Sequence, residues 1–273
     1  MQAFSHWTEP KGTLGAIVGE AEVRARALEL TRVDLARNAE RTGSAPSLRN
    51  ALIGPHVALL AEVKRRSPSK GLIAGELAAV SQASAYARGG AAGVSILTEP
   101  AHFGGSIDDL TECRAHVPLP VLKKDFHVQP IQLLEARALG ASAALLIARA
   151  LSPARLGQMM RYAEALELEV LVEVRDEEEL ARALGEGATM IGVNNRNLET
   201  LEIDPGTSDR LIPLIPAGVV AIAESGVRGR PDVERYAAVG AHAVLVGSSL
   251  SAAADPAAAT RSLTLVQRSE RAR

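Results

Sequence analysis

Eight short apolar runs recur along the chain at steady intervals, and this rhythm limits the possible folds more than any other feature. They are Val57–Val63, Gly93–Leu97, Pro120–Lys124, Ala143–Ile147, Glu169–Val174, Met190–Asn194, Val219–Ala223 and Ala243–Val246. Between them lie Ala-, Leu-, Glu- and Arg-rich segments with helical spacing, among them Ala79–Arg88, Pro130–Leu139, Ser152–Leu166 and Glu177–Leu184. Several end at a Gly-Ala pair: Gly90-Ala91, Gly140-Ala141, Gly187-Ala188 and Gly240-Ala241. Glycine just past a helix takes a left-handed conformation at little cost, so each pair reads as a stop before the next strand. Strands that are apolar throughout are buried on both faces, which means a parallel sheet covered by helices. Eight such units in roughly 200 residues predict an α/β chain folded as a (β/α)8 TIM barrel. The rival, a doubly wound open sheet, would carry G-x-G-x-x-G after its first strand, and none stands there.

Residues 1–52 precede the first strand and are too short and too charged to bury a core of their own. They are expected to form an N-terminal helical extension packed on the barrel, with a helix over Leu14–Leu35, a turn cluster at Thr42–Ser47 and a short helix at Leu48–Leu52. The barrel takes residues 53–260, and residues 261–273 are expected to be a helix end and a frayed, solvated tail. A net charge of −2 argues against a nucleic-acid-coating protein, and 3% aromatic residues leave little for base stacking. The single cysteine, Cys113, excludes an internal disulfide and a thiolate metal cluster, and fits a cytoplasmic home. Met1–Leu14 lacks the apolar core of a signal peptide, and no run of about 18 apolar residues predicts a membrane span. A monomer or weak homodimer is expected.

Barrel enzymes place their active sites at the C-terminal ends of the strands. Read in order, those ends supply Glu62 and Lys64, then Ser95 and Thr98-Glu99, then Lys123-Lys124-Asp125-Phe126, then Arg149. The remaining four supply Glu173, Asn194-Asn195-Arg196, Glu224-Ser225-Gly226 and Gly247-Ser248-Ser249. The strand interiors are apolar and every end is polar. Ser225-Gly226 and Gly247-Ser248 offer bare backbone N–H groups after the last two strands, the recurrent phosphate cradle of barrels. Lysines and carboxylates in one mouth can run acid–base chemistry on an anionic substrate. A lysine buried near positive neighbours has a lowered pKa and donates a proton near neutrality. For Glu62 and Lys64 alone, a structural ion pair is an equally good reading.

The stretch Glu62-Val63-Lys64-Arg65-Arg66-Ser67-Pro68-Ser69 resembles the signature of the indole-3-glycerol-phosphate synthase family of tryptophan biosynthesis. Further pieces match in order: Lys124-Asp125-Phe126, Leu171-Val172-Glu173-Val174, Asn194-Asn195-Arg196-Asn197-Leu198, Ala223-Glu224-Ser225-Gly226 and Val246-Gly247-Ser248-Ser249-Leu250. The resemblance implies a carboxy-lyase acting on 1-(2-carboxyphenylamino)-1-deoxyribulose 5-phosphate. An aromatic carbon attacks the ketone, carbon dioxide and then water leave, and no cofactor or metal is needed. The small phosphorylated anilino-sugar is the implied partner, with no nucleic acid and no membrane.

Carried onto this sequence, the resemblance makes Lys124 the acid that protonates the ketone oxygen and Glu173 its partner carboxylate. It makes Lys64 a holder of substrate charge and an acid in the dehydration, with Glu62 orienting Lys64 or serving as base. Asn194 positions the substrate hydroxyl and the catalytic side chains, and Arg196 orders the charged network. Glu224 and Ser225 bind substrate, Phe126 and Leu198 line an apolar slot, and Ser67, Gly226, Gly247 and Ser248 contact pocket and phosphate. The loop Arg65–Gly71 has the small residues of a mobile cover. The family often has Asp where this chain has Asn197, which bears on the setting of Arg196. Lys123 is expected to face outward, toward the helices or snorkelling to water.

Other residues read as bland. His6, His56, His102, His116, His127 and His242 show no ligand spacing and are expected at the surface or half-buried. Cys113 reads as a packed or surface thiol. The run Asp176-Glu177-Glu178-Glu179 reads as a helix cap and solvated face. A phosphoribosylanthranilate isomerase would want a cysteine or aspartate pair at the first and fifth strand ends, and a non-catalytic binder would not need Lys124 and Glu173.

Overall fold

A computed structural model describes residues 7–271 of the chain. His6, the first residues of the N-terminal segment and the last two of the tail lie outside the described residues. Eight parallel strands close into a barrel. They are β1 (Ala58–Val63), β2 (Gly93–Leu97), β3 (Val121–Lys124), β4 (Ala143–Ile147), β5 (Glu169–Val174), β6 (Met190–Asn194), β7 (Val220–Glu224) and β8 (Ala243–Val246). Each pairs with its neighbours in sequence, and β8 returns to β1. Parallel neighbours require a crossover, and helical segments supply it between each pair of successive strands. The register sets Glu62 opposite Ser95, Glu173 opposite Gly192 and Asn194 opposite Glu224, so polar side chains from distant segments share one rim. β7 runs one residue later than its apolar pattern suggests, because the Val219 N–H bonds to the Pro216 carbonyl at 2.9 Å and closes the preceding turn. Glu224 is thereby inside the ladder.

The glycine stops are real. Gly90, Gly140, Gly187 and Gly240 have φ of +92°, +76°, +83° and +85°. The alanine after each donates to a carbonyl five residues back, at 3.0 Å in all four cases. This is the hydrogen bond that closes a helix C-terminus on a left-handed residue.

Two helices replace the single one expected near the start. α1 (Gly12–Leu28) gives way to a 3-10 turn at Glu29–Thr31, and α2 (Arg32–Arg41) follows. The Thr31 hydroxyl donates back to the Leu28 carbonyl at 3.0 Å, competing with the regular helical ladder there. α3 (Leu48–Ala51) is capped by the Ser47 hydroxyl, which accepts from the Asn50 N–H. Leu14, Ile17, Ala21 and Ala25 are the buried face of α1, at helical spacing. Ala25 and Ala39 pack with Ile131 and Leu134 of the Pro130–Ala138 helix.

The chain end is not frayed where it is described. His56 and Gln267 form a bridge, and the Arg268 N–H donates to the Pro55 carbonyl at 3.0 Å. Arg271 is buried. His127 and His242 are buried as well, contrary to the surface expectation, whereas His56 and His116 are exposed and His102 is half-buried. Lys123 does point outward from the barrel, yet it does not reach water. It is 1% exposed, 3.0 Å from Glu135 and 3.8 Å from Asp125. Its Nζ also lies 3.3 Å from His127 Nε2. Burial and the Lys123 charge push His127 down to about 3, so the neutral ring donates from Nδ1 to the Leu145 carbonyl at 2.7 Å. Cys113 is buried, and burial pushes its thiol up to about 12.

Asp176 caps the Glu177–Gly185 helix by accepting from the Glu179 N–H at 2.8 Å. Glu179 is not on a solvated face: it is buried and accepts from the Arg175 N–H at 2.8 Å. Burial, with Asp176 adding to it, pushes its carboxyl up to about 7. The folded chain therefore holds a proton here that the unfolded chain releases near 4.5, and stability falls as pH rises between the two values. At 1.36 kcal/mol per pKa unit the loss is on the order of 3 kcal/mol. Urea unfolding at pH 4.5 and pH 7 is expected to show a decline smaller by about that amount in Glu179→Gln than in the unaltered chain, with Glu224 supplying a further part in both.

Candidate active site

The rim of the barrel encloses a cavity of about 230 Å3. At its centre the Lys124 ammonium, from the end of β3, donates to Glu173 Oε2 at 3.2 Å and to Glu224 Oε2 at 3.3 Å. Asn194 donates from Nδ2 to the other Glu173 oxygen at 2.8 Å, and its own Oδ1 accepts from the Arg196 N–H at 2.9 Å. Three strands thus fix one carboxylate from two sides. Glu62, on β1, pairs with Lys64 and accepts from the Ser95 hydroxyl at 3.3 Å. Alternate positions along an extended strand share a face, which is why Glu62 and Lys64 meet.

Charge balance sets the protonation states. Burial opposes charge on Lys124, but Glu224, Glu173 and Glu62 outweigh it and raise its pKa above the ordinary lysine value. The expectation of a lysine lowered by positive neighbours is therefore wrong: its neighbours are carboxylates. Glu224 is buried, and that burial, opposed by Lys124 and reinforced by Glu173, pushes it up to about 7. Burial also works against the Glu62 carboxylate, yet Lys64 and Lys124 hold it below its usual range. The pocket therefore contains a fixed cation at Lys124, a fixed anion at Glu62 and one carboxyl, Glu224, that exchanges its proton near neutrality.

The far side of the cavity is built from backbone. Ser225 and Gly226 have φ of +65° and +87°, a left-handed pair that turns the chain sharply after β7. For serine this conformation is uncommon. Asn195 secures it: fully buried, it donates from Nδ2 to the Ser225 carbonyl and to the Tyr236 hydroxyl, each at 3.0 Å. Gly247 is the residue before the short Ser248–Ser251 helix, and both Gly247 and Ser248 line the cavity. A Cβ on Gly247 would stand 2.5 Å from Glu62 Oε1. The Ser67 hydroxyl is buried at the cavity wall without a hydrogen-bond partner.

Phe126 and Leu198 line the apolar side, and Phe103 joins them with its ring centroid 6.1 Å from that of Phe126. Leu14 and Ile17 of α1 roof the same space, and Lys70 and Arg228 reach its edge. Sequence reasoning missed Phe103, Leu14, Ile17 and Arg228, and gave no individual role to Lys70, inside the cover loop, or to Asn195, at the sixth strand end. The buried spacing on α1 was a usable signal for Leu14 and Ile17, whereas the others depend on loop paths. Arg149 is not in the ring: it donates to the Thr8 carbonyl at 2.7 Å and to Glu199 at 2.8 Å, tying the N-terminal segment to the loop after β6. Asn197 organises that loop by accepting from the Glu199 N–H at 2.9 Å and does not touch Arg196. Arg196 Nη1 instead donates to the Leu201 carbonyl at 2.8 Å. The segment Arg66–Ser67 pairs with Gly71–Leu72 in a small hairpin over the cavity edge.

Glu20 comes together with Glu99 and His102, a neighbouring pair far from it in sequence, which spacing could not reveal. Their link is structural. Glu99 accepts from three backbone N–H groups of the Pro100–Phe103 helix and sits 3.6 Å from Arg24, and His102 lies 3.0 Å from Glu20.

The indole-3-glycerol phosphate synthase family model matches residues 17–263. The chain belongs to that family. It is 47% identical over 236 residues to the indole-3-glycerol phosphate synthase of Parafrankia sp. (strain EAN1pec), covering 86% of this chain and 88% of that protein. It is 49% identical over 235 residues to indole-3-glycerol phosphate synthase 1 of Streptomyces coelicolor, covering 85% and 87%. Among solved structures, 3-hexulose-6-phosphate synthase from Salmonella typhimurium shares the fold at a TM-score of 0.61 and 16% identity, covering 76% of this chain and 96% of that one. Membership makes the chain a carboxy-lyase of tryptophan biosynthesis acting on a small phosphorylated molecule. Among the described residues no helix is long and apolar enough to cross a membrane.

One glycine is a condition of this geometry. A Cβ on Gly192 would overlap Glu224 Oε1 and stand 3.0 Å from its Cδ. Gly192→Ala is expected to displace the carboxylate from Lys124 and to lower kcat about a hundredfold, as misplacement by an ångström does. With Glu224→Ala already in place there is nothing left to displace, so Gly192→Ala should then add little. Steady-state kinetics of the two single variants and the double variant check this, with circular dichroism confirming the fold.

Proposed function

We propose that Lys124 is the general acid of the ring closure and that Glu173 stabilises the cation which develops opposite it. The observation that carries this reading is the ammonium held within 3.3 Å of two buried carboxylates at the cavity centre. The aromatic carbon forms its bond to the ketone carbon as Lys124 delivers a proton to the ketone oxygen. The ring, now cationic, loses carbon dioxide and regains aromaticity at that stage of the sequence. Such a step needs a charged donor beside the oxygen and a negative group beside the ring, in a site shielded from bulk water.

In the dehydration, Lys64 supplies the proton to the departing hydroxyl and Glu62 orients it or takes the proton that is lost. Their direct contact supports the pairing. Asn194 sets the Glu173 carboxylate and the substrate hydroxyl. Arg196 orders the loop that covers them, and Glu224 shares the Lys124 proton network. Phe126 and Leu198 form the slot for the ring. The phosphate rests on Ser67, Ser225, Gly226, Gly247 and Ser248, where free hydroxyl and backbone donors gather. The hairpin after β1 is the cover.

The proposal includes an extension over residues 1–52 that roofs a barrel of residues 53–260, followed by residues 261–273. It includes a cytoplasmic monomer or weak homodimer. Lys124→Ala is expected to lower kcat by about a thousandfold, within the range of a lost general acid. Phosphate binding should survive. Fluorescence of the indole product measures the first and equilibrium titration the second. Equal loss of both would make Lys124 a binding residue.

A further inference from the structure

The foot of the barrel, opposite the catalytic rim, gathers a second set of charges. Arg49, in α3, donates from Nη2 to the Gly218 carbonyl at 3.2 Å. Arg271 donates from Nη2 to the Pro216 carbonyl at 3.1 Å and to the Val219 carbonyl at 2.5 Å. Both guanidinium groups therefore hang on the one short turn that leads into β7. Arg268 arrives on the same segment as Arg271, anchored by its backbone to Pro55 just before β1. His242, just before β8, feels the charge of all three.

Nothing among the described residues neutralises them. No carboxylate of the described residues forms an ion pair with Arg49, Arg268 or Arg271. Glu169, beside Arg49, is committed to the Ser47 hydroxyl at 2.5 Å and to the Arg49 backbone N–H at 2.9 Å, and Glu270 is exposed. Nε of Arg49, Nε of Arg268, and Nε and Nη1 of Arg271 are buried without a hydrogen-bond partner. Arg271 as a whole is only 9% exposed. Burial, with the Arg268 charge adding to it, pulls Arg271 down to about 10. Burial and the three arginines push His242 down to about 4, so it stays neutral. Its Nδ1 accepts from the Ala221 N–H at 3.1 Å, which leaves the proton on Nε2.

Buried donors without acceptors are unfavourable, and like charges crowded together compound the cost. A guanidinium fork matches two oxygens of a phosphate, and three forks suit a dianion better than a single carboxylate. We infer that Arg49, Arg268 and Arg271 form a second anion site, at the foot of the barrel, which takes a free or esterified phosphate and ties the C-terminal segment to the strands. It is separate from the phosphate cradle at the rim, whose residues all lie at the other ends of the strands.

Thermal unfolding of the full chain tests this, with saturating indole-3-glycerol phosphate occupying the rim and chloride holding ionic strength constant. Inorganic phosphate is expected to raise Tm saturably, as any ligand specific to the folded state does. In Arg268→Gln the response should require about tenfold more phosphate or more, the effect of losing a hydrogen bond to a charged group. Turnover of that variant should be unchanged. Arg49→Gln is a second variant with the same expectation, should Arg268→Gln fold poorly. A parallel titration with glycerol 3-phosphate separates the sources: a response to both ligands assigns a phosphomonoester, and a response to inorganic phosphate alone assigns the free ion. No saturable rise in the unaltered chain, or an equal rise in both variants, would overturn the inference.

Discussion

The site depends on one ammonium group lodged between two buried carboxylates. Lys124 touches Glu173 and Glu224 at nearly equal distances. Removing such a charge from water is expensive, and only close opposite charges make it tolerable. The two acids repel each other as well, so the lysine holds them together as much as they hold it. The surplus of negative charge is relieved at Glu224, which keeps its proton to about 7. A lysine set in this way is a strong cation in the resting site. In the role proposed for it, Lys124 becomes a proton donor when an entering substrate oxygen takes the place of a carboxylate partner and weakens the field that holds the proton.

The barrel makes that convergence possible. Lys124, Glu173 and Glu224 are 49 to 100 residues apart from one another along the chain, yet strand register brings them to one level. Small residues complete the fit. Gly192 leaves room for Glu224, and Gly247 leaves room for Glu62. Asn195, facing away from the cavity, holds the left-handed Ser225 through its carbonyl. Neighbouring residues on β6 and just beyond it thus serve opposite faces of the wall: Asn194 sets a carboxylate inside, and Asn195 sets the left-handed loop after β7.

Much of this was legible in the chain itself. The eight apolar runs and four Gly-Ala stops follow from local physics, because strand burial and helix termination are decided within a few residues. Polar side chains at the strand ends were legible for the same reason. The charge state of Lys124 was not, since it depends on which partners the closed barrel brings near. Burial of His127, Lys123 and Glu179 was hidden for a related reason: their partners come from other segments, and composition alone marks such residues as exposed. The break between α1 and α2 rests on a single back-bonding threonine in an otherwise helical stretch. Spacing on α1 marks Leu14 and Ile17 as a buried face, but that this face roofs the cavity depends on where the helix lies, which spacing does not supply.

The most direct test is the ionisation of Lys124 in the ligand-free chain. Carbon-13 NMR of labelled lysine, with the Lys124 signal assigned by its loss in Lys124→Met, reports the charge on that one side chain. The account predicts that the signal keeps the ammonium position up to at least about pH 9.5, close to where an ordinary lysine begins to lose its proton. A deprotonation midpoint below about 9 would contradict it, because the paired carboxylates would then not be holding the charge.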